Sequence, residues 1–231
     1  MTLQSLLRPP AAAAALLALL LAAACGEERS PAGESRQTAP PSLLDYQLSS
    51  FGMLNPAAAG HVRGRGDAPV TVIEFGDFGC PYCALFALQT YPVLHREYVE
   101  TGRVQWRYVT FVMGTFPNGE EAARAAECAT EQGEAAFWEM HDLLYERQQE
   151  WKRAGDPEAL FGRYAADAGL DTERFGSCYR EERSRLRVMA GNALAAESGV
   201  RATPTFFING MRVQGALPLE QFRMILDEMA W

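Results

Sequence analysis

Hydrophobic and polar positions divide the chain into stretches of different character. From Ala11 to Ala24 the run AAAAALLALLLAAA is wholly apolar, with Arg8 before it and Cys25, Gly26, Glu27 and Glu28 after it. As a helix it would rise only about 21 Å, short of a bilayer core of roughly 30 Å, so a removable secretory signal over residues 1–24 fits better than a permanent span. Residues 27–42 are polar and proline-bearing and read as a tether. Scattered apolar positions between Leu43 and Leu54 give a segment that can dock on the domain C-terminal to it. Val70 to Phe75 (VTVIEF) is a β-branched and aromatic run of strand length, followed by a glycine-containing loop and a helix start at Pro81. That helix is expected to reach about Glu100 and to bend at Pro92. Arg103 to Val112 alternates as a central strand. Residues of about 117–199 are rich in Ala, Glu and Arg at helical spacing, as with Phe137, Met140, His141 and Leu144. TFFIN, Gly210 and MRV predict a hairpin, and Leu219 to Met229 a final amphipathic helix.

Composition narrows the class. The 231 residues are 48% hydrophobic and 22% charged, which excludes a disordered chain. Twenty-one basic against 29 acidic residues give a net charge of -8 with no basic stretch, so an electrostatic grip on nucleic acid is excluded. Five cysteines, at 25, 80, 83, 128 and 178, are too few for a disulfide-stapled miniprotein, and their odd number leaves at least one without an intramolecular partner. Small residues run into Cys25 as in a bacterial lipoprotein signal, in which that cysteine is lipid-modified, although Ala22 stands where such signals usually place Leu. The remaining reading of Cys25 is ordinary secretion.

The chemistry concentrates at Cys80-Pro81-Tyr82-Cys83. A cysteine at a helix N-terminus meets unpaired N–H groups and the positive end of the helix dipole, which favour a thiolate. Cys83 lies one turn further on, within reach of a mixed disulfide at Cys80, so the pair forms a dithiol switch. A zinc site is disfavoured, because there is no second CxxC and His61, His95 and His141 are isolated. Ala84 stands where a haem attachment site needs histidine. A purely structural bridge is disfavoured because CxxC disulfides are strained and reducible. His141 and the aromatic residues Phe137, Trp138 and Tyr145 are read as helix core rather than as ligands.

IEFGDFGCPYC together with RATPTFFING resembles the thioredoxin superfamily, specifically its DsbA-like bacterial envelope branch, over residues 61–231. The resemblance implies an α/β thioredoxin-like fold with an inserted helical subdomain at about 117–199, preceded by the signal (1–24) and by a lipid-anchor cysteine and tether (25–60). It implies a protein thiol–disulfide oxidoreductase without a cofactor or metal. Cys80 exchanges disulfides, Cys83 resolves, and Glu74, six residues before Cys80, is a buried acid that moves protons to and from Cys83. A carboxylate within this apolar strand is costly when unpaired, which agrees with such a role; a solvent-facing Glu74 is the alternative. In the family the proline at the Thr203-Pro204 position is cis and faces the cysteines, offering a backbone edge to an extended peptide. Thr203, Pro204, Pro81 and Tyr82 are therefore the positions implied to touch substrate.

The implied partners are cysteine-containing secreted proteins and a membrane redox partner, in the bacterial envelope and with the chain lipid-anchored to a membrane. Oxidation is the expected direction. Tyr82 stands where strongly oxidising members carry histidine, which leaves a reductase or isomerase open, although residues 26–60 are too short and polar for an isomerase's dimerisation domain. A non-catalytic, client-binding lipoprotein of thioredoxin-like fold is the rival of another class. The resemblance does not say whether Cys128 and Cys178 pair. An oxidising compartment permits a bridge, which is the expectation here, closing a loop of about 50 residues and adding roughly 4 kcal/mol on the chain-entropy model. Two buried thiols or a second redox relay are the alternatives.

Overall fold

The structure is a computed structural model and describes residues 60–229. The expected signal, Cys25, the tether and the segment around Leu43 to Leu54 lie outside the described residues. The sheet has the order β1 (His61–Arg63), β3 (Val104–Thr110), β2 (Val70–Gly76), β4 (Thr205–Ile208), β5 (Met211–Gln214). β2 and β3 run parallel, with Glu74 beside Tyr108, and the other pairings are antiparallel. The β4–β5 turn is Asn209-Gly210, both at positive φ (45° and 87°), a conformation these two residues adopt at little cost.

The expected central strand at Arg103–Val112 is an interior strand that lacks clean alternation. β3 is flanked by β1 and β2, and all of it but Arg107 is buried, because helices cover both sides of the sheet. The middle position belongs to β2. The three-residue β1 is too short to carry a period and was not among the expected elements.

The helix after the cysteines is not uniform in pitch. It opens as α1 (Pro81–Leu85), widens into π-helical turns over Phe86–Thr90, returns to α geometry as α2 (Tyr91–Leu94) and widens again over His95–Val99. The Tyr91 N–H donates five residues back to the Phe86 carbonyl, and the Glu100 N–H likewise to His95. Pro92 has no N–H to give, and the run passes through it by changing pitch.

The insert comprises α3 (Gly119–Ala129), α4 (Glu134–Glu146), α5 (Gln148–Trp151), α6 (Pro157–Asp167), α7 (Thr172–Arg180) and α8 (Glu182–Glu197). Asp156 and Asp171 cap α6 and α7 by accepting N–H bonds from their first turns. Cys128 and Cys178 form a disulfide that ties α3 to α7 across 50 residues. α9 (Leu219–Met229) completes the domain. One face of the sheet, with Val72, Trp106, Tyr108, Phe206 and Ile208, packs on the α1–α2 run, α9 and the insert. On the other face, Ile73, Phe75 and Val109 meet Leu194, Ala195 and Val200. There α8 crosses the end of β3 so closely that a Cβ on Gly191 would lie 2.1 Å from the Thr110 carbonyl oxygen, so only glycine fits.

A buried ion pair fastens β1 to the insert. His61 Nε2 lies 3.2 Å from Glu127 Oε1, which also accepts from the Thr110 hydroxyl at 2.7 Å. Burial opposes charge on His61, yet the Glu127 carboxylate outweighs it and the imidazole is pushed up to about 9. Burial likewise opposes charge on Glu127, and His61 more than compensates, holding it below its ordinary value. The His61 contribution to stability is thus complete below its unfolded pKa of about 6.5 and is lost as pH rises through about 9. The Glu127 contribution is lost as pH falls below the ordinary carboxylate range. In urea unfolding of the oxidised protein, the His61 contribution is expected to fall by an amount on the order of 3 kcal/mol between pH 6 and pH 10. The double variant His61→Phe/Glu127→Leu should lack that part of the decline, and an unchanged decline would refute the assignment.

Candidate active site

The strand β2 delivers the chain at Gly76 into a loop that Asp77 organises. The Cys80 N–H donates to the Asp77 carbonyl at 2.9 Å, the Gly79 N–H to Oδ1 at 2.8 Å, and the Met113 N–H to Oδ2 at 2.8 Å. One buried carboxylate thus closes the turn before Cys80 and ties it to the chain leaving β3. Cys80 holds the N-cap of α1 in extended backbone geometry and Pro81 opens the helix. The insert reaches over the same loop. Gln148 Nε2 donates to the carbonyls of Phe78 at 2.7 Å and Cys80 at 3.0 Å, and Lys152 Nζ to that of Gly79 at 2.6 Å. Carbonyls buried at a helix start cost about 1–3 kcal/mol each when unpaired, so α5 and the residue after it are part of what holds Cys80 in place.

The two free thiols have opposite electrostatics. Cys80 is pushed down to about 5, chiefly by the hydrogen bond from Cys83, against burial, with further help from the Thr203 side chain and the N–H groups of Cys83 and Tyr82. Cys83 is fully buried and held well above its ordinary value, first by burial, then by the Cys80 sulfur and by Glu74. At neutral pH the arrangement supplies a thiolate at Cys80 and a protonated thiol behind it.

Glu74 points into the larger core, on the strand face of Val72 and opposite Ile73 and Phe75, rather than to solvent. Its Oε2 accepts from Trp106 Nε1 at 3.0 Å, and burial, only partly offset by that bond, pushes it up to about 8. Beside it the hydroxyls of Tyr108 and Tyr145 bond to each other at 2.7 Å.

The Thr203–Pro204 peptide is cis, and the Thr203 carbonyl accepts from the Cys80 thiol at 3.4 Å. Thr203 and Pro204 are buried against the cysteines, whereas Pro81 and Tyr82 are exposed on the outer rim, Tyr82 at 64%. The structure therefore gathers Cys80, Cys83, Glu74 and Thr203 around one sulfur pair, and Cys128–Cys178 serves the insert. The sequence reading missed Asp77, Gln148 and Lys152. Asp77 carried a weak signal, an acid in an otherwise aromatic and glycine loop (FGDFGC). Gln148 and Lys152 carried none, since their partners lie about 70 residues away.

Iodoacetamide alkylation of the reduced protein followed against pH should show one reactive thiol with a midpoint near pH 5. A midpoint at the ordinary thiol value, near 8.5, would contradict the described stabilisation of Cys80.

Comparison with known proteins agrees with this geometry. The family model described as Thioredoxin matches residues 57–228. The chain is 40% identical over 162 residues to a Na(+)/H(+) antiporter NhaA 1 of Salinispora arenicola, covering 69% of this chain but only 23% of that protein. Disulfide bond formation protein D of Bacillus subtilis is 28% identical over 172 residues, covering 72% of this chain and 75% of the relative. The crystal structure of oxidised BdbD from Bacillus subtilis superposes with a TM-score of 0.68 at 26% identity, covering 74% of this chain and 92% of that one. A CxxC at the start of the first long helix, a cis proline against it and a helical insert between β3 and β4 are thus set in a fold shared with a disulfide-bond protein, and the chain belongs to the thioredoxin family in its DsbA-like form.

Proposed function

We propose that the chain is an extracytoplasmic thiol–disulfide oxidoreductase that oxidises cysteine-bearing secreted proteins through Cys80 and Cys83. The observation that carries this reading is the split between the two thiols, Cys80 held down to about 5 and Cys83 held up. Stabilising the Cys80 thiolate stabilises the reduced form, and a pair whose reduced form is favoured is an oxidant toward its clients. The client thiolate attacks Cys80 Sγ of the disulfide, Cys83 leaves and takes a proton from Glu74, and a second client thiolate then displaces Cys80. Thr203 and Pro204 supply the backbone edge along which the client lies, with Pro81 and Tyr82 on the rim. A membrane oxidase is the partner that restores the disulfide.

Tyr82 favours the second reading, a reductase or isomerase, because it lacks the cationic help that a histidine gives a thiolate. The Cys83 thiol, the Thr203 side chain and two N–H groups take over that help here. A non-catalytic client binder has no use for two thiols of opposed acidity. The antiport named for some relatives is not carried over, since the chain spans a small part of their length, and no helix among the described residues is long and apolar enough to cross a membrane. Lipid anchoring at Cys25, after loss of residues 1–24, rests on the sequence context alone.

The purified domain should oxidise a reduced unfolded client faster than it reduces insulin, with a reduction potential less negative than about -200 mV. Faster insulin reduction with a strongly negative potential would reverse the direction, and inactivity in both assays would leave the binder. Expressed at full length in a bacterium that processes lipoproteins, the protein should incorporate a labelled fatty acid and lose the label in Cys25→Ser. A wild type without label would remove the anchor.

A further inference from the structure

We propose that Lys152 is a positioning residue that serves as the counter-charge of the active-site loop: reaching over from the insert beside Gln148, it favours the negative charge that reduction leaves on Cys80 and so makes the pair a stronger oxidant. The inference rests on the disulfide exchange proposed for Cys80 and Cys83. It gives to a residue 73 positions beyond Gly79 the cation that Tyr82 does not supply within the motif.

Packing on both sides delivers the ammonium to the loop. Trp151, the residue before it, is fully buried; its Nε1 donates to the Leu144 carbonyl at 2.7 Å, and its own carbonyl accepts from Asn118 Nδ2 at 2.8 Å. The backbone at Lys152 is therefore fixed. Its Nζ lies 2.6 Å from the Gly79 carbonyl oxygen and 4.9 Å from the centre of the Phe116 ring. Phe116 in turn covers the loop so closely that a Cβ on Gly79 would lie 2.4 Å from Phe116 Cβ. Glycine at 79 is what admits the ring over which the cation sits.

The carbonyls of Phe78, Gly79 and Cys80 carry partial negative charge in the same loop in which reduction creates a full one. Gln148 Nε2 answers the first and third without net charge, and Lys152 answers the second with a whole positive charge. Charged and titratable groups face the Cys80 sulfur from several elements: Cys83 and Tyr82 from α1, Thr203 from the cis peptide, and Asp77 from the turn after β2. Asp77 is itself faced by Lys152 from the insert, and by Gly119 at the start of α3, where a Cβ would lie 3.8 Å from Oδ1. An Asp77 carboxylate and a Cys80 thiolate repel each other. Lys152, bonded to the carbonyl of Gly79 between them in the chain, attracts both.

Reduction balances without an added reagent. A client dithiol gives two electrons to the Cys80–Cys83 bond, which breaks, and leaves with an S–S bond of its own. One of its two protons ends on the Cys83 thiol and the other passes to solvent, so the reduced protein carries one new negative charge, at Cys80. A nearby cation stabilises that state and does nothing comparable for the uncharged disulfide. Lys152 thereby favours the reduced form.

The test measures, on the purified protein, the pH profile of Cys80 alkylation and the equilibrium with reduced and oxidised glutathione, for the wild type, Lys152→Met, Lys152→Gln and Lys152→Arg. Lys152→Met should raise the alkylation midpoint by about half a pH unit. At pH 7 it should also shift the glutathione equilibrium about threefold toward the disulfide, roughly 14 mV at about 29.6 mV per tenfold. Lys152→Gln, neutral but polar, should match Lys152→Met, whereas Lys152→Arg, which keeps the charge, should match the wild type. In 1 M NaCl, where the Debye length falls to about 3 Å, the gap between wild type and the neutral variants should narrow. A variant that only loosened the loop would differ from wild type equally at low and high salt. If the neutral variants share the wild-type midpoint and potential, or if the gap is the same in 1 M NaCl, the counter-charge is overturned. If the wild type itself shows an ordinary midpoint and no exchange with glutathione, the disulfide-exchange reading fails and the inference fails with it.

Discussion

The site depends on the placement of one sulfur, and that placement depends on the Asp77 carboxylate. By accepting the N–H groups of Gly79 and Met113, it folds the chain after β2 into a turn that ends with Cys80 at the start of a helix. Were the turn to open, Cys80 would lose the Cys83 thiol and the helix-start N–H groups of Tyr82 and Cys83, and with them the conditions for a thiolate. Burial raises the proton affinity of this carboxylate, and the two N–H donors work against that rise.

Around that point the two thiols diverge although they share one motif. Cys80 collects hydrogen bonds that stabilise negative charge, whereas Cys83, a turn deeper, meets apolar walls and a buried acid that penalise it. Burial acts on both, and the difference lies in what each sulfur finds as a partner. The same low-dielectric interior raises Glu74 to about 8, where it holds a proton at neutral pH.

The helical insert is more than a lid on the sheet. Through Gln148 and Lys152 it takes up three successive carbonyls of the active-site loop, and through Glu127 it receives His61 from the first strand. The Cys128–Cys178 bridge joins two of its helices, so the part of the chain with the least regular sequence signal is fastened covalently and then used to brace the site.

Much of this was legible in the sequence because its signals are local. VTVIEF followed by a loop and CPYC specifies a strand, a turn and a helix start. NG between two short β-branched or aromatic runs specifies a hairpin, and Leu219 to Met229 carries its own helical period. Cys80 and Cys83 followed from the CxxC at a helix start, and Glu74 and Pro204 from the resemblance to the DsbA-like family. What needed the tertiary structure was contact between distant segments. β1 is too short to show a period, and β3 loses its alternation because both faces are covered. The helix after Cys83 changes pitch along its length. Gln148, Lys152 and the partners of His61 matter through groups far away in the chain, as does the bond from Met113 to Asp77. Local sequence set which elements form and where the sulfurs lie along them, whereas long-range packing decided the charge each buried group carries, since that depends on which neighbours share its low-dielectric surroundings.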